Sequence, residues 1–385
     1  MKLLIETIAL RKGIDQVRQL LHNVGTIPIL SNILMDARDG NLSLSVTDGD
    51  IEITTIIPDV QILSEGGICV SGRLFSDAVK RLPNGSQIEI TKEGRGDEVE
   101  CRCGRIQFSA MTLPAADWPH IPAGEIEYVA IYPAQEMARA LEMVSHSQSR
   151  EEVRYYLNGV HMHPIAEDGR VAFVAASGPK LSLYKSPPPT YKIGTSFPAY
   201  IIPTRAASEI ARMVSGMGEI DTVRLSGNEA KLVVEAGSIK MITKLVDGTF
   251  PDYNRVIPPD TETTITIDCG VLKNAMDRAT VFSGTTGKGQ MRTSGATLKF
   301  TKDELEVRAG LNGEGKANEV IPVDYDGPEI EVGMNALHLV EHLNVIKSRD
   351  VHLKFHSLEP KNNPMILLGD DPDVDYLAVL TLMKI

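Results

Sequence analysis

Two pairs of side chains at i, i+2 spacing are the first candidates for chemistry: Cys101 with Cys103, and His161 with His163. The first pair lies in an alternating strand and the second shares its geometry, so both members of each pair point to one face. Thiolates and imidazoles are metal-ligating groups, but a structural zinc site takes four ligands, and no second pair follows at ligand spacing. Burial in or at the edge of a sheet is the favoured role. Gly284-Thr285-Thr286-Gly287-Lys288-Gly289 has the composition of a phosphate loop. Such a loop joins a strand to the helix after it, whereas here a helical pattern comes before it, so a plain loop is expected. Neither a Gly-x-Ser-x-Gly nor a His-Glu-x-x-His motif occurs, and spacing supports no nucleophile–base–orienter set. The expectation is a protein that is not an enzyme, with no catalytic residue, metal or cofactor.

The other chemically suggestive residues are basic. The chain carries 39 Lys and Arg against 51 Asp and Glu, a net charge of −12. Six runs with helical patterning reverse that balance. They hold twelve basic residues: Arg11, Lys12, Arg18, Arg73, Lys80, Arg81, Arg139, Arg205, Arg212, Lys273, Arg278 and Lys347. Against these stand seven acidic ones, a local net of +5. What a polyanion meets is the local distribution and not the sum, so the helices form a candidate track for phosphates. The alternative is ordinary helix-surface composition, with propensity and i,i+4 pairing as its causes.

The elements that must position these residues repeat. Ile68-Cys69-Val70-Ser71-Gly72 leads into a helical run from Arg73 to Leu82, a turn, and the strand Ile88-Glu89-Ile90-Thr91. The same strand–helix–turn–strand order recurs from Tyr200 and from Ile330, with Val70, Ile202 and Val332 in equivalent places. A period of about 130 residues is a domain, not a solenoid repeat. Each domain has an earlier strand–helix unit as well, with helices expected over Leu10–His22, Ala134–Ser145 and Gly270–Thr280. Pro/Gly-rich stretches around 113–124 and 250–259 mark the boundaries. The expected architecture is α+β, three similar domains over 1–124, 125–254 and 255–385, each with two helices on mostly antiparallel strands.

Composition is that of a soluble globular protein: 42% hydrophobic and 23% charged residues, and no apolar run of membrane-spanning length. The start, Met1-Lys2-Leu3-Leu4-Ile5-Glu6, reads as a strand and not as a signal peptide. Four cysteines make no disulfide framework, and a cytoplasmic location is expected.

Several strings closely resemble segments of the bacterial DNA polymerase III beta subunit family of sliding clamps. They are Thr26-Ile27-Pro28-Ile29-Leu30-Ser31-Asn32, Leu113-Pro114-Ala115-Ala116-Asp117, Arg154-Tyr155-Tyr156-Leu157-Asn158-Gly159 and Lys244 through Tyr253. The likeness runs in order along the whole chain. It implies the DNA-clamp fold and a head-to-tail homodimer closing a six-domain ring around double-stranded DNA, held without regard to sequence. It also implies processivity for the replicative polymerase. On this reading Arg11, Lys12, Arg18, Arg73, Lys80, Arg81, Arg205, Arg212, Lys273 and Arg278 attract phosphates, and Leu82 and Phe108 meet Val281 and Phe282 across the dimer seam. The resemblance further implies a pocket for short linear motifs of the polymerase alpha subunit, the clamp loader and repair polymerases. Its matching positions are Leu157, Ala176, Gly178, Pro179, Lys180, Leu181, Pro251, Arg255, Val256, Asn335 and His338, completed by Val379, Leu380, Leu382 and Met383.

The pocket is also where the chain departs most from the family. The usual Thr-Asp-Gly-His-Arg-Leu is here Ala176-Ser177-Gly178-Pro179-Lys180-Leu181, and the C-terminal stretch differs enough to leave its register open. The loop before Pro28 has Val24-Gly25 in place of a basic residue, and an aromatic usual near the pocket falls at Thr286-Gly287-Lys288. Lys does not replace the planar, multi-donor rim of Arg. Three readings stay open: a working clamp with a drifted pocket, a paralogue with altered partners that escapes pocket-directed inhibitors, and a protein scaffold that never encircles DNA.

Overall fold

Every helix grows directly out of a strand. The computed structural model describes residues 1–21, 27–94, 96–215, 221–259, 261–283, 295–311, 315–356 and 363–384. Among these, six α-helices follow six strands: α1 (Thr7–Val17), α2 (Gly72–Lys80), α3 (Ala134–Ser145), α4 (Thr204–Ser215), α5 (Cys269–Phe282) and α6 (Ala336–Val345). Apolar spacing selects the buried stripe. In α1 it is Leu10, Ile14 and Val17; in α2, Phe75 and Val79; in α5, Leu272, Ala275, Met276 and Ala279. Gly13 lets α1 settle onto strand Ile51–Ile57, since a Cβ there would come within 2.5 Å of Ile57 Cδ1. Polar side chains start the last two helices. Asp268 accepts from the Val271 N–H at 2.9 Å, and Asn335 from the N–H groups of Leu337 and His338 at 3.0 and 3.3 Å. Each such cap contributes about 1 kcal/mol.

The chain folds as two compact units, and the division falls within the central repeat. Unit one comprises Met1–Met137, Thr190–Phe197 and Arg212–Leu245, and its fourteen strands hydrogen-bond in one continuous order. Unit two comprises Ala138–Pro189, Pro198–Ala211 and Val246–Ile385, with one sheet of eight strands and one of four.

Within each unit a sheet continues from one repeat into the next. Each repeat has a three-stranded meander: Asn32–Arg38, Asn41–Thr47 and Ile51–Ile57; then Gly159–Pro164, Val171–Ser177 and Lys180–Ser186; then Gly295–Thr301, Glu304–Leu311 and Gly315–Pro322. In unit one the third strand of the first meander, Ile51–Ile57, pairs antiparallel with Ile239–Lys244, the last strand of the central repeat. In unit two the third strand of the second meander, Lys180–Ser186, pairs with Asp375–Leu380, the last strand of the third repeat. Two strands in the corresponding positions lack that partner among the described residues. Gly315–Pro322 pairs only with Glu304–Leu311, and residues 106–111 of Ile106–Pro114 pair only with Glu98–Cys103.

Helix boundaries correct the charge count. Arg18 lies in a 3-10 turn after α1, Arg81 is the C-cap of α2, and Lys347 lies beyond the end of α6. The six α-helices hold nine basic and seven acidic residues, a net of +2 and not +5. The three displaced cations sit at helix C-termini, where the macrodipole attracts positive charge without any nucleic acid. Cys101 and Cys103 do share a face, both buried, and burial pushes the Cys101 thiol up to about 12. No group of three or more metal-ligating side chains gathers among the described residues. The plain loop expected at Gly284–Gly289 lies outside them, as do His22, Val24 and Gly25.

Candidate partner-peptide pocket and nucleic-acid interface

A cavity of about 540 Å³ opens in unit two beside the strand pair Lys180–Ser186 and Asp375–Leu380. Leu157, Leu181, Phe250 and Val379 line it and belong to one buried apolar cluster. A wall of chain runs from Pro251 to Pro259 and carries Tyr253, Arg255 and Val256; Arg154, the hairpin residues Ala176–Gly178 and Asn363–Pro364 also line it. Arg154 stands over the hairpin turn, its guanidinium 3.5 Å from where a Cβ on Gly178 would lie, and Glu151 holds it through two 2.8 Å hydrogen bonds. An open apolar cavity with cations at its rim suits an aliphatic or aromatic anchor on an extended peptide.

Of the residues expected there, Leu157, Ala176, Gly178, Lys180, Leu181, Pro251, Arg255, Val256 and Val379 line the cavity. Pro179, Asn335, His338, Leu380, Leu382 and Met383 do not. The C-terminal register explains three of these. Lys180 faces Leu380 and Leu181 faces Val379, so strand alternation buries Leu380 on the opposite side from Val379. Leu382 and Met383 lie past the strand, where the Met383 N–H donates to Gly333 O at 2.7 Å. Asn335 is occupied as the cap of α6.

Lys180 turns inward. Its ammonium donates to His146 O at 2.5 Å and to Glu341, and its side chain is only 8% exposed. Beside it lies a buried polar set. His146 Nε2 and His342 Nδ1 are 2.9 Å apart, Tyr376 Oη is 2.8 Å from His342 Nδ1, and Ser182 Oγ lies 3.3 to 3.4 Å from all three. Burial drives both imidazoles toward the neutral form, His146 to about 4 and His342 well below its ordinary value, with Lys180 adding to the effect in each. The strand thus delivers an aliphatic stem, not a free cation, to the pocket.

The basic residues divide into two groups. Arg11 donates to Leu82 O at 2.5 Å and to Asn84 Oδ1 at 2.6 Å, so it closes the end of α2. Arg18 pairs with Asp15 at 3.0 Å, Arg81 donates to Asp77 O, Arg212 donates to Gln16 O, and Arg278 makes two hydrogen bonds to Glu319. Arg205 has a partner as well. Lys12, Arg73 and Lys80 are exposed and Lys273 is half-buried. Of the four expected seam residues, Leu82 is buried within unit one, Phe108 is half-buried on the strand with the open edge, Val281 is 73% exposed, and Phe282 packs beside Gly315 of the other open strand.

Sequence profiles of the DNA polymerase III beta subunit match the chain end to end: the N-terminal domain at residues 1–122, the central domain at 132–252 and the C-terminal domain at 254–381. The chain belongs to the DNA polymerase III beta subunit family. It is 31% identical over 384 residues to the beta sliding clamp of Caulobacter vibrioides, covering 98% of this chain and 99% of that one. With the Escherichia coli K12 beta sliding clamp the identity is 33% over 355 residues, 92% of each chain. Among solved structures, a Caulobacter crescentus beta sliding clamp with polyethylene glycol in a putative beta-motif tethering region superposes with a TM-score of 0.91 at 30% identity, covering 100% and 99% of the two chains. A Bartonella birtlesii sliding clamp bound to griselimycin also gives 0.91, at 28% identity and 100% coverage of both. The family is one of non-catalytic processivity factors, and the three repeats are three clamp domains.

Sequence reasoning about the family pocket missed Arg154, Phe250 and Tyr253. All three lie inside the strings that carry the resemblance, so the signal was present but unassigned. Thr381 falls inside the C-terminal stretch from Val379 to Met383 that the resemblance implied, whereas Asn363 and Pro364 gave no such signal, because they reach the cavity through the fold alone.

Proposed function

We infer that this chain is a DNA sliding clamp that tethers the replicative polymerase and other partners to duplex DNA. The observation that carries the assembly is the repeated sheet join. Two of the three meanders extend into the last strand of the following repeat within the chain. The third meander ends in the open edge of Gly315–Pro322, and the first repeat ends in the open edge at 106–111. Pairing these two edges between copies repeats the same join head to tail and closes after two chains into six domains. Phe108, Val281 and Phe282 belong to that seam on this reading; Leu82, expected there too, is buried within unit one. Open strand edges are left unpaired at a cost in solubility, which a partner edge removes.

Holding DNA without reading it requires attraction to phosphates and no base contacts. Lys12, Arg73, Lys80 and Lys273 supply it, with the tied arginines adding to the field. The domains correspond to 1–124, 125–254 and 255–385, and the place of action is the cytoplasm. The cavity takes short linear motifs. The inward Lys180 supports the narrower reading that its choice of partners differs from that of clamps with an arginine there.

Loading the protein onto a nicked circular plasmid with a clamp loader tests encirclement. Retention on the circle and release after a single restriction cut are expected. Equal retention on circular and linear DNA would leave only a scaffold.

A further inference from the structure

Histidines 161 and 163 gather no third metal-ligating side chain among the described residues, and both stand directly behind the pocket. They lie on one face of strand Gly159–Pro164 with ring centroids 5.0 Å apart. His161 stacks on Phe250 with rings 4° from parallel and 4.7 Å between centroids. His163 Nε2 is 3.0 Å from the hydroxyl of Tyr253. Phe250 and Tyr253 both line the cavity, so each aromatic of that wall is backed by one imidazole.

The hydrogen bond has a definite direction. His163 Nδ1 lies 3.0 Å from Pro164 O, and a carbonyl only accepts, so Nδ1 carries the proton. In the neutral ring Nε2 is then the acceptor, and Tyr253 O–H donates to it. That bond matters because of what the wall lacks. Among the described residues, the other hydrogen bonds of segment 251–259 close within the segment: Asn254 N–H and Nδ2 to Asp252 Oδ1, Arg255 N–H to Asp252 O, and Ile257 N–H to Asn254 O. The Arg255–Asp252 ion pair is also internal, at 3.2 Å. Tyr253 is half-buried at the head of a single short turn. Tyr253 and Ile257 pack on the buried apolar cluster, which places the segment, and the hydrogen bond to His163 then fixes how the Tyr253 ring stands; a ring free to turn must be ordered on binding, which weakens affinity.

We propose that His163, through its hydrogen bond to Tyr253, is a positioning residue that holds the aromatic wall of the pocket in its ligand-ready place, with His161 supporting Phe250 beside it. The inference rests on the peptide-pocket reading above. It concerns side chains that touch no ligand themselves and act through the two aromatics.

A double-mutant cycle on the full chain tests it, with a fluorescein-labelled peptide carrying a Leu-Phe pair as probe and anisotropy as readout. His163→Phe and Tyr253→Phe are each expected to raise the peptide Kd about fivefold, and the double variant no further than either alone. In a chain labelled with ¹⁵N-histidine, the His163 Nε2 resonance should have the shift of an acceptor and move in Tyr253→Phe. A role confined to stability would not produce coupled changes in affinity at unchanged urea midpoints. Tyr253→Phe keeps the ring and removes one half-buried hydroxyl, so it remains informative if His163→Phe folds poorly. Tight binding by the unsubstituted chain with no change in Tyr253→Phe, or additive losses in the cycle, overturns the inference alone. Failure of the unsubstituted chain to bind the peptide overturns the pocket reading and this inference with it.

Discussion

His146 and His342 face each other at 2.9 Å in a site with little room for charge. Their folded-state pKa values lie below the ordinary 6.5, at about 4 for His146 and well below for His342. The unfolded chain therefore takes up protons that the folded chain refuses, and stability present above pH 6.5 is lost as the pH falls toward 4. For His146 alone the loss amounts to about 3 kcal/mol. Urea midpoints between pH 7 and 4.5 should fall steadily, and His342→Asn should flatten the slope; a flat profile in the unsubstituted chain would contradict the buried pair. Glu52 is a buried polar residue held by hydrogen bonds. Its buried carboxylate accepts from Trp118 Nε1 at 3.0 Å, His120 Nδ1 at 2.9 Å and the Ile121 N–H at 2.8 Å. Glu52→Ala leaves those donors without their acceptor and should cost about 3 kcal/mol by urea unfolding. A cost under about 1 kcal/mol would show that water replaces it without penalty.

At the scale of elements, the proposed assembly rests on sheet edges. The two internal joins between repeats each use five or six paired residues, and the open edges at 106–111 and 315–322 offer comparable lengths. A charge placed on such an edge, or at the end of α5 beside the Gly315–Pro322 edge, meets a desolvation cost in the paired state and none in the free chain. Phe108→Asp and Val281→Asp should each weaken the dimer at least tenfold in sedimentation at dilute concentration, with helical content unchanged. An unaltered sedimentation coefficient would move the seam elsewhere. How far elements were legible in the sequence depended on how local their cause is. Helix α3 begins and ends at the residues that apolar spacing predicted. Helix α1 starts three residues earlier than expected, because the strand Lys2–Glu6 turns into it without an intervening loop.

The whole molecule carries net negative charge, so its hold on DNA must come from a minority of residues. The structure sorts the candidates by whether their charge is already engaged. Replacing Arg73, Lys80 and Lys273 together by Ala should lower the salt-dependence slope of duplex binding by roughly 2 to 3 while the fold stays intact. Arg11→Ala should act differently, lowering the urea midpoint because it unties the end of α2. A slope that stays the same in the triple variant would place the phosphate contacts on other residues.

The three repeats, the six strand–helix units, the family and the apolar character of the pocket floor follow from the sequence by itself. Periodicity and contiguous strings encode them, and these are local properties of the chain. Only the tertiary structure decided that the Lys180 ammonium turns away from the pocket to Glu341, 161 residues away. It alone set Tyr253 against His163, 90 residues apart, and turned Val379 toward the cavity while burying Leu380 on the other face. A side chain's direction depends on which distant group satisfies its charge or hydrogen bond when water is excluded, and no spacing along one segment records that choice.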